Sequence, residues 1–175
     1  VMLELIQGEG GIFMQDIAVV KKLEKTLKEK KLLLIIDEIQ TGVYRSGNFL
    51  ISQYFKIKPD IITLAKGLAT GIPIGVMMTN VKDIFTFGDH GSTFGGNHLS
   101  TTVSCKVLDI LEKYSNSGTL QENIKFFDSY LLYFMNKYPN LFVQKNGHGF
   151  MQGLVLKDDT KLNELIKSSL KNGLL

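Results

Sequence analysis

Several residue types are scarce in this sequence of 175 residues, and each scarcity excludes a class of protein. The single cysteine, Cys105, rules out an intramolecular disulfide, so we expect a reducing, cytoplasmic setting. The three histidines are too scattered to predict a metal site. No apolar run approaches the length of a membrane-spanning helix. The sequence therefore predicts no disulfide framework, no bound metal and no contact with a membrane.

Excess positive charge is also scarce. Lysine and arginine together number 20 against 17 acidic residues, which gives a net charge of +3 with the lysines dispersed. Nucleic-acid binding needs a concentrated basic face, so we expect no nucleic-acid partner. The hydrophobic share of 44% and charged share of 21% are typical of a soluble globular domain with a real core.

Two apolar runs each end in a charged residue. Leu32–Ile36 is followed by Asp37, and Ile61–Ala65 is followed by Lys66. Unbroken apolar runs of this length favour strands of a parallel sheet that are buried on both faces. Ligands bind outside the carboxyl ends of such strands, and neighbouring strands lie roughly 5 Å apart. We therefore expect Asp37 and Lys66 to reach opposite ends of one small aromatic ring.

This pair of residues predicts a particular cofactor. A lysine amine beside a glycine can form a Schiff base with an aldehyde when a water-poor site favours its neutral form. A buried aspartate can keep a pyridine nitrogen protonated, and the protonated ring then withdraws electrons from the reacting carbon. An amine at Lys66 and a carboxylate at Asp37 thus point to pyridoxal phosphate.

Four motifs in order resemble those of the class III aminotransferases, which have the type I pyridoxal-phosphate fold. The motifs are Glu4–Gly11 (ELIQGEGG), Asp37–Gly42 (DEIQTG), Ala65–Gly67 (AKG) and His90–Asn97 (HGSTFGGN). The resemblance extends from Val1 to about Leu156 and is greatest to the acetylornithine aminotransferase group. It implies an α/β fold, with the C-terminal part of the large, mostly parallel-sheet domain in residues 1–118. Residues 119–175 would begin a small α+β C-terminal domain.

The resemblance assigns roles around the cofactor. Lys66 would attach the cofactor and act as general acid and base in the proton shift. Asp37 would pair with the pyridinium nitrogen, Ile39 would press on the ring face, and Gln40 would hydrogen-bond the phenolic oxygen. Thr93 would reach the cofactor phosphate of the opposite subunit, which implies a homodimer with a shared active site.

Two further residues correspond to the substrate side of the family site. Ser92 would lie beside the substrate, and Glu4 would lie near it, where it can pair with a substrate-binding arginine. Arg45 is the only arginine of this chain and lies off the family position of that arginine. Because the chain begins inside a predicted strand, we interpret it as a fragment that is inactive alone.

The family implies transfer of an amino group from N-acetylornithine, or a similar ω-amino donor, to 2-oxoglutarate in arginine biosynthesis. Two alternatives remain open: an ornithine, 4-aminobutyrate or diamine aminotransferase, and a non-catalytic truncated dimerisation module. A dinucleotide-binding domain is disfavoured, because Gly8-Glu9-Gly10-Gly11 lacks the required glycine spacing.

Local signals predict the remaining elements. Asp16 is expected to cap a helix that extends to Lys31, and Asn97 is expected to open a long helix that extends to about Tyr114. Further helices are predicted over Leu120–Lys137 and Lys161–Lys171, and further strands over Val1–Ile6, Ile74–Thr79, near Phe142 and over Phe150–Leu156. By resemblance, the strand at Ile74–Thr79 runs antiparallel to its neighbour.

Overall fold

The computed structural model describes residues 1–175 and contains eight strands, five helices and two short 3₁₀ turns. The strands are β1 (Met2–Leu3), β2 (Ile6–Gln7), β3 (Phe13–Met14), β4 (Ile35–Asp37), β5 (Ile61–Leu64), β6 (Val76–Thr79), β7 (Phe142–His148) and β8 (Met151–Leu156). The helices are α1 (Ile17–Glu29), α2 (Ile51–Phe55), α3 (His98–Asn116), α4 (Thr119–Lys137) and α5 (Leu162–Lys171). The 3₁₀ turns are Lys66–Leu68 and Asp159–Lys161. None of the helices combines the length and the apolar character that a bilayer crossing requires.

The central sheet has the strand order β1-β4-β5-β6. β4 pairs in parallel with both β1 and β5, whereas β6 pairs antiparallel with β5. Two antiparallel pairs, β2 with β3 and β7 with β8, form separate small sheets. The mixed α/β class, the mostly parallel sheet and the antiparallel direction of β6 are as the sequence predicts.

The predicted cap at Asp16 is confirmed, and Asn97 caps the helix that it is predicted to open. The Asp16 carboxylate accepts a 2.9 Å hydrogen bond from the Val19 N–H at the start of α1. The Asn97 side-chain oxygen accepts a 3.0 Å bond from the Ser100 N–H at the start of α3. Each bond satisfies one of the backbone donors that a helix leaves free at its first turn.

The strands are shorter than the apolar runs that predict them. β4 begins only at Ile35, and Leu32 and Leu33 are exposed. Before that point the Leu34 N–H donates to the Asp60 carboxylate at 2.8 Å and not to the backbone of a neighbouring strand. The predicted first strand, Val1–Ile6, is also divided, since β1 joins the central sheet and β2 pairs with β3 instead.

The two faces of the central sheet are covered unequally. Paired residues in neighbouring strands present their side chains on the same face. Ile36 and its partner Ile62 lie on the packed face, where both contact clusters of buried apolar side chains. Asp37, Thr63 and Met77 form the next row of partners and so lie on the opposite face. Met77 is 38% exposed, which marks that face as the open one.

The accessible surface of the chain is large for its mass. It measures 12019 Å², whereas a compact monomer of this mass would expose roughly 8,600 Å². The chain therefore leaves much of its surface, including part of the open sheet face, without cover from its own residues.

Candidate functional site

A cavity of about 650 Å³ lies at the end of β5 and contains Lys66. Ile39 and Gln40 line the same cavity, so three of the predicted site residues meet there. Its remaining walls come from distant parts of the chain: Ile12, Gly42, Val43, Tyr44, Arg45, Gly67, Thr70, Leu111, Leu120, Phe150, Met151 and Gln152. A volume of this size is typical of sites for small molecules and cofactors.

The backbone around this cavity is conformationally unusual. Eight residues other than glycine have a positive φ, and five of them line the cavity. These five are Ile12, Val43, Tyr44, Lys66 and Thr70. Left-handed backbone at such residues costs on the order of 1 kcal/mol or more each and tends to collect at functional sites. Lys66 has a φ of 44° at the tip of β5, and its side chain is exposed and forms no ion pair.

Asp37 ends β4, the strand next to β5, and lies opposite Thr63 in the register. One of its carboxylate oxygens, Oδ1, accepts a 2.9 Å hydrogen bond from the Ile39 N–H, while the other takes none from the chain. The two strand tips are therefore neighbours, as predicted. Asp37 does not line the cavity that contains Lys66, so the two residues share neighbouring strand tips but not this cavity.

The neighbouring Glu38 is 1% exposed and accepts four hydrogen bonds. Its Oε2 accepts from the Ile51 N–H at 2.7 Å and from the Thr41 hydroxyl at 3.2 Å. Its Oε1 accepts from the Ser52 N–H at 3.0 Å and from the Ser52 hydroxyl at 2.8 Å. The carboxylate thus ties both ends of residues 38–52 together, and we call this segment the anchored loop.

Gln40 is held against the loop that follows β2. A Cβ added to Gly8 would lie only 1.7 Å from the Gln40 side-chain oxygen, so any larger residue there would displace Gln40. The Gly8 N–H also donates to the Glu4 carboxylate at 3.4 Å. Glu4 does not line the Lys66 cavity, although it connects to Gln40 through Gly8.

The far wall of the cavity comes from the hairpin of β7 and β8, which sequence reasoning did not assign to the site. Phe150, Met151 and Gln152 line the cavity, and the Phe150 N–H donates to the Arg45 carbonyl at 2.9 Å. Gly149 lies so close to the Ser46 backbone that an added Cβ would be 2.4 Å from it. The glycines on either side of His148 are the one sequence signal for this close approach.

The interface behind that wall includes a histidine. The His148 ring lies 4.2 Å from the Tyr54 ring, centroid to centroid, and joins the hairpin to α2. Burial, together with the nearby Lys145 ammonium, lowers the pKa of His148, while the Asp128 carboxylate acts in the opposite direction. Lys145 also pairs with Asp128 at 2.5 Å and donates to the Gln152 side chain at 2.8 Å.

Ser92 and Thr93 lie in residues 88–97, a segment that we call the glycine loop. Both side chains are exposed and lie away from the Lys66 cavity. Ser92 accepts a 3.0 Å bond from the Gly95 N–H. Hydrogen bonds from the Thr86 hydroxyl and N–H lower the pKa of Asp89. All these contacts are local, so the chain brings no other predicted site residue to this loop.

The known proteins that this chain resembles are aminotransferases. The family model described as aminotransferase class-III matches residues 1–175. An acetylornithine aminotransferase from Wolinella succinogenes is 50% identical over 175 residues, covering 100% of this chain and 44% of that protein. The chain therefore spans less than half the length of this curated relative.

Solved structures agree on the fold. The acetylornithine aminotransferase from Elizabethkingia anophelis superimposes with a TM-score of 0.87 at 30% identity, covering 99% of this chain and 45% of that one. An ornithine aminotransferase from Toxoplasma gondii gives a TM-score of 0.86 at 33% identity, covering 99% and 42%. Similarity of fold therefore does not separate these two activities.

Proposed function

Because this chain belongs to the class III aminotransferase family, as the match over residues 1–175 shows, we propose that the complete protein is a transaminase. Its amino donor is N-acetylornithine or a similar ω-amino compound, and its acceptor is 2-oxoglutarate. The relative from Wolinella succinogenes, which is named an acetylornithine aminotransferase, supports this donor. With that donor, we propose a place in arginine biosynthesis. The pairing of β4 with β5, which brings the tips that carry Asp37 and Lys66 together, is the observation that carries the proposal.

The residues at these tips fit pyridoxal phosphate, the cofactor of this family. An amine, a carboxylate, an apolar side chain and an amide are available at Lys66, Asp37, Ile39 and Gln40. Thr63, the register partner of Asp37, has a buried hydroxyl oxygen without a hydrogen-bond partner. This polar group is available for a hydrogen bond when the cofactor is bound. When bound, the cofactor supplies an electron-withdrawing ring that stabilises negative charge on the reacting carbon.

Each side chain then has one task. The Lys66 Nζ would hold the cofactor and would then be available as general acid and base to move a proton. The Asp37 carboxylate would hold the proton of the ring nitrogen. Ile39 would exclude water from one ring face, and the Gln40 amide, kept in place by Gly8, would donate to the phenolic oxygen.

We extend the proposal to domains and assembly. Residues 1–118 belong to the large cofactor-binding domain, and residues 119–175 begin the small one, with Gly118 between α3 and α4. Ser92 contacts the substrate, Glu4 lies on the substrate side, and Thr93 reaches the cofactor phosphate of the other subunit of a homodimer. The glycine loop contributes no residue to the cavity that contains Lys66, and this supports the shared arrangement.

The direct test is to replace Lys66 by Ala in the complete protein. We expect loss of the near-visible absorbance of the bound cofactor and of transaminase activity, because the attachment point is gone. Lys82→Ala is the matched control, since Lys82 is also an exposed lysine but lies away from the cavity. Unchanged cofactor absorbance in the Lys66 variant would contradict the proposal.

Substrate choice needs a separate measurement. Ornithine aminotransferases superimpose as well as acetylornithine aminotransferases do, which keeps the ornithine-type activity as a second candidate. Assaying N-acetylornithine, ornithine, 4-aminobutyrate and a diamine side by side distinguishes the two. A third candidate, a non-catalytic dimerisation module, would show neither a spectral change nor protection from heat on mixing with pyridoxal phosphate.

A further inference from the structure

One buried polar atom of the sheet has no partner. The Thr63 hydroxyl oxygen is inaccessible to solvent, and no atom of the chain donates to it or accepts from it. Every other buried side-chain oxygen and nitrogen has a hydrogen-bond partner. Buried polar groups in folded proteins are almost always paired, so an exception of this kind needs an explanation.

The position of Thr63 supplies one. Thr63 is the register partner of Asp37, and its carbonyl accepts a 3.0 Å bond from the Glu38 N–H, which fixes the strands side by side at this point. Partner residues share a face, and their Cβ atoms lie about 5 Å apart. One hydrogen bond between a threonine hydroxyl and an aspartate carboxylate spans that separation.

The surroundings leave Asp37 as the one strong acceptor in the row. On the other side of Thr63 the register partner is Met77, whose thioether is a weak acceptor. The Asp37 carboxylate has one oxygen already bonded to the Ile39 N–H and one that takes no bond from the chain. A rotation about the Thr63 Cα–Cβ bond, between staggered positions, would turn the hydroxyl toward that oxygen.

We propose that Thr63 is a positioning residue for Asp37. Its hydroxyl donates to the free Asp37 oxygen when that carboxylate engages the ring nitrogen of the cofactor, and the bond fixes the carboxylate in the orientation that the ring requires. This inference rests on the proposed function, because it assigns Asp37 to the cofactor nitrogen. In the ligand-free chain the hydroxyl remains without a partner, so Thr63 contributes to binding and not to folding.

If the Thr63 hydroxyl contributes to binding and not to folding, one substitution should weaken cofactor binding without lowering the stability of the cofactor-free protein. Thr63→Val keeps the shape of the side chain and removes the hydroxyl. The cofactor-free protein should melt at the same temperature or higher, because an unpaired buried hydroxyl has been replaced by an apolar group of the same shape. The dissociation constant for pyridoxal phosphate should rise roughly tenfold, since a hydrogen bond to a charged group is lost.

The experiment uses the complete protein and measures cofactor absorbance across a titration, together with melting of the cofactor-free form. Thr63→Ser keeps the hydroxyl and should bind within about twofold of wild type. Asp37→Asn and the double variant complete a cycle, in which the two substitutions should be non-additive. Equal affinity of Thr63→Val and wild type, additive effects, or equal weakening in Thr63→Ser and Thr63→Val would each overturn the inference.

A failure of the proposed function is distinguishable from these results. If the wild-type protein itself shows no cofactor absorbance, the transaminase proposal is wrong and the role of Thr63 falls with it. If wild type binds the cofactor and Thr63→Val binds it equally well, only the role of Thr63 is wrong. Should Thr63→Val lower the melting temperature of the cofactor-free protein, the hydroxyl is structural and the inference is again overturned.

Discussion

The anchored loop and the glycine loop both carry predicted site residues, yet the chain holds them in different ways. In the anchored loop the buried Glu38 carboxylate accepts four hydrogen bonds, and both Thr41 and Ser46 are buried. In the glycine loop every residue is exposed, and a Cβ added at Gly88, Gly91 or Gly96 would meet no atom within 4 Å.

This difference separates two kinds of site residue. Ile39 and Gln40 are placed by contacts within their own chain, so their positions exist before any ligand arrives. Ser92 has only its local bond from the Gly95 N–H, and neither Ser92 nor Thr93 is held by a distant part of the chain, so their positions depend on whatever covers the glycine loop. Under the proposed function, that cover is the second subunit with its bound cofactor.

Replacing Glu38 by Ala tests the anchoring with the largest expected effect. Two backbone and two hydroxyl donors would be left buried without an acceptor, so we expect a loss of at least about 3 kcal/mol in the free energy of unfolding. Urea denaturation measures it. Glu29→Ala is the control, because Glu29 is exposed and its ion pair with Lys25 measures 4.0 Å.

A loss below about 1 kcal/mol in the Glu38 variant would contradict the contrast between the two loops. The Glu29 control should change the free energy of unfolding by no more than about 0.5 kcal/mol.

A pair of glycine substitutions compares the loops directly. Neither Gly42 nor Gly91 has a left-handed φ, so backbone conformation does not separate them. A Cβ at Gly42 would lie 2.6 Å from a Leu64 methyl carbon and 2.8 Å from the Glu38 carbonyl oxygen, whereas one at Gly91 would meet nothing. We expect Gly42→Ala to cost about 1–3 kcal/mol and Gly91→Ala less than about 0.5 kcal/mol by denaturation. An equal loss in the free energy of unfolding for the two variants would show that the glycine loop is packed against other residues.

The smallest expected effect concerns pH and the contact between His148 and Tyr54 behind the anchored loop. Burial lowers the pKa of His148, so the folded protein favours the neutral ring. Its contribution to stability is complete above the unfolded pKa of about 6.5 and is lost as the pH falls below that value towards the folded pKa. The midpoint of urea denaturation should therefore fall on acidification.

Substitution of His148 identifies the source of this pH dependence. His148→Phe keeps an aromatic ring against Tyr54 and should reduce the fall in midpoint between about pH 7 and about pH 5. His98→Phe, at an exposed position, should leave it unchanged. An identical pH dependence in wild type and His148→Phe would assign the effect to other groups.

Much of the fold could be predicted because its signals are local. Asp16 and Asn97 mark the starts of their helices, because a capping side chain bonds a backbone N–H only three residues further along the chain. The apolar run at Leu32–Ile36 identifies a strand but not its start, because the bond from Leu34 to Asp60 joins residues that are 26 positions apart. Periodicity contains no information about such a distant partner.

The candidate site shows the same limit. Lys66, Ile39 and Gln40 could be named from short motifs, and the structure places all three on one cavity. The hairpin wall at Phe150–Gln152 lies more than 80 residues further along the chain and could not be assigned, because tertiary packing alone brings it to Arg45. The pairing of Thr63 with Asp37 likewise depends on strand register, which the sequence left open.

The left-handed backbone at Lys66 bears on the choice of residue at that position. Glycine adopts that conformation without penalty and asparagine nearly so, whereas lysine pays for it in stability. Under the proposed function, a copy of this chain that no longer needed the amine would gain stability by exchanging Lys66 for either residue. A lysine at this left-handed position is what that function requires, since neither glycine nor asparagine supplies an amine.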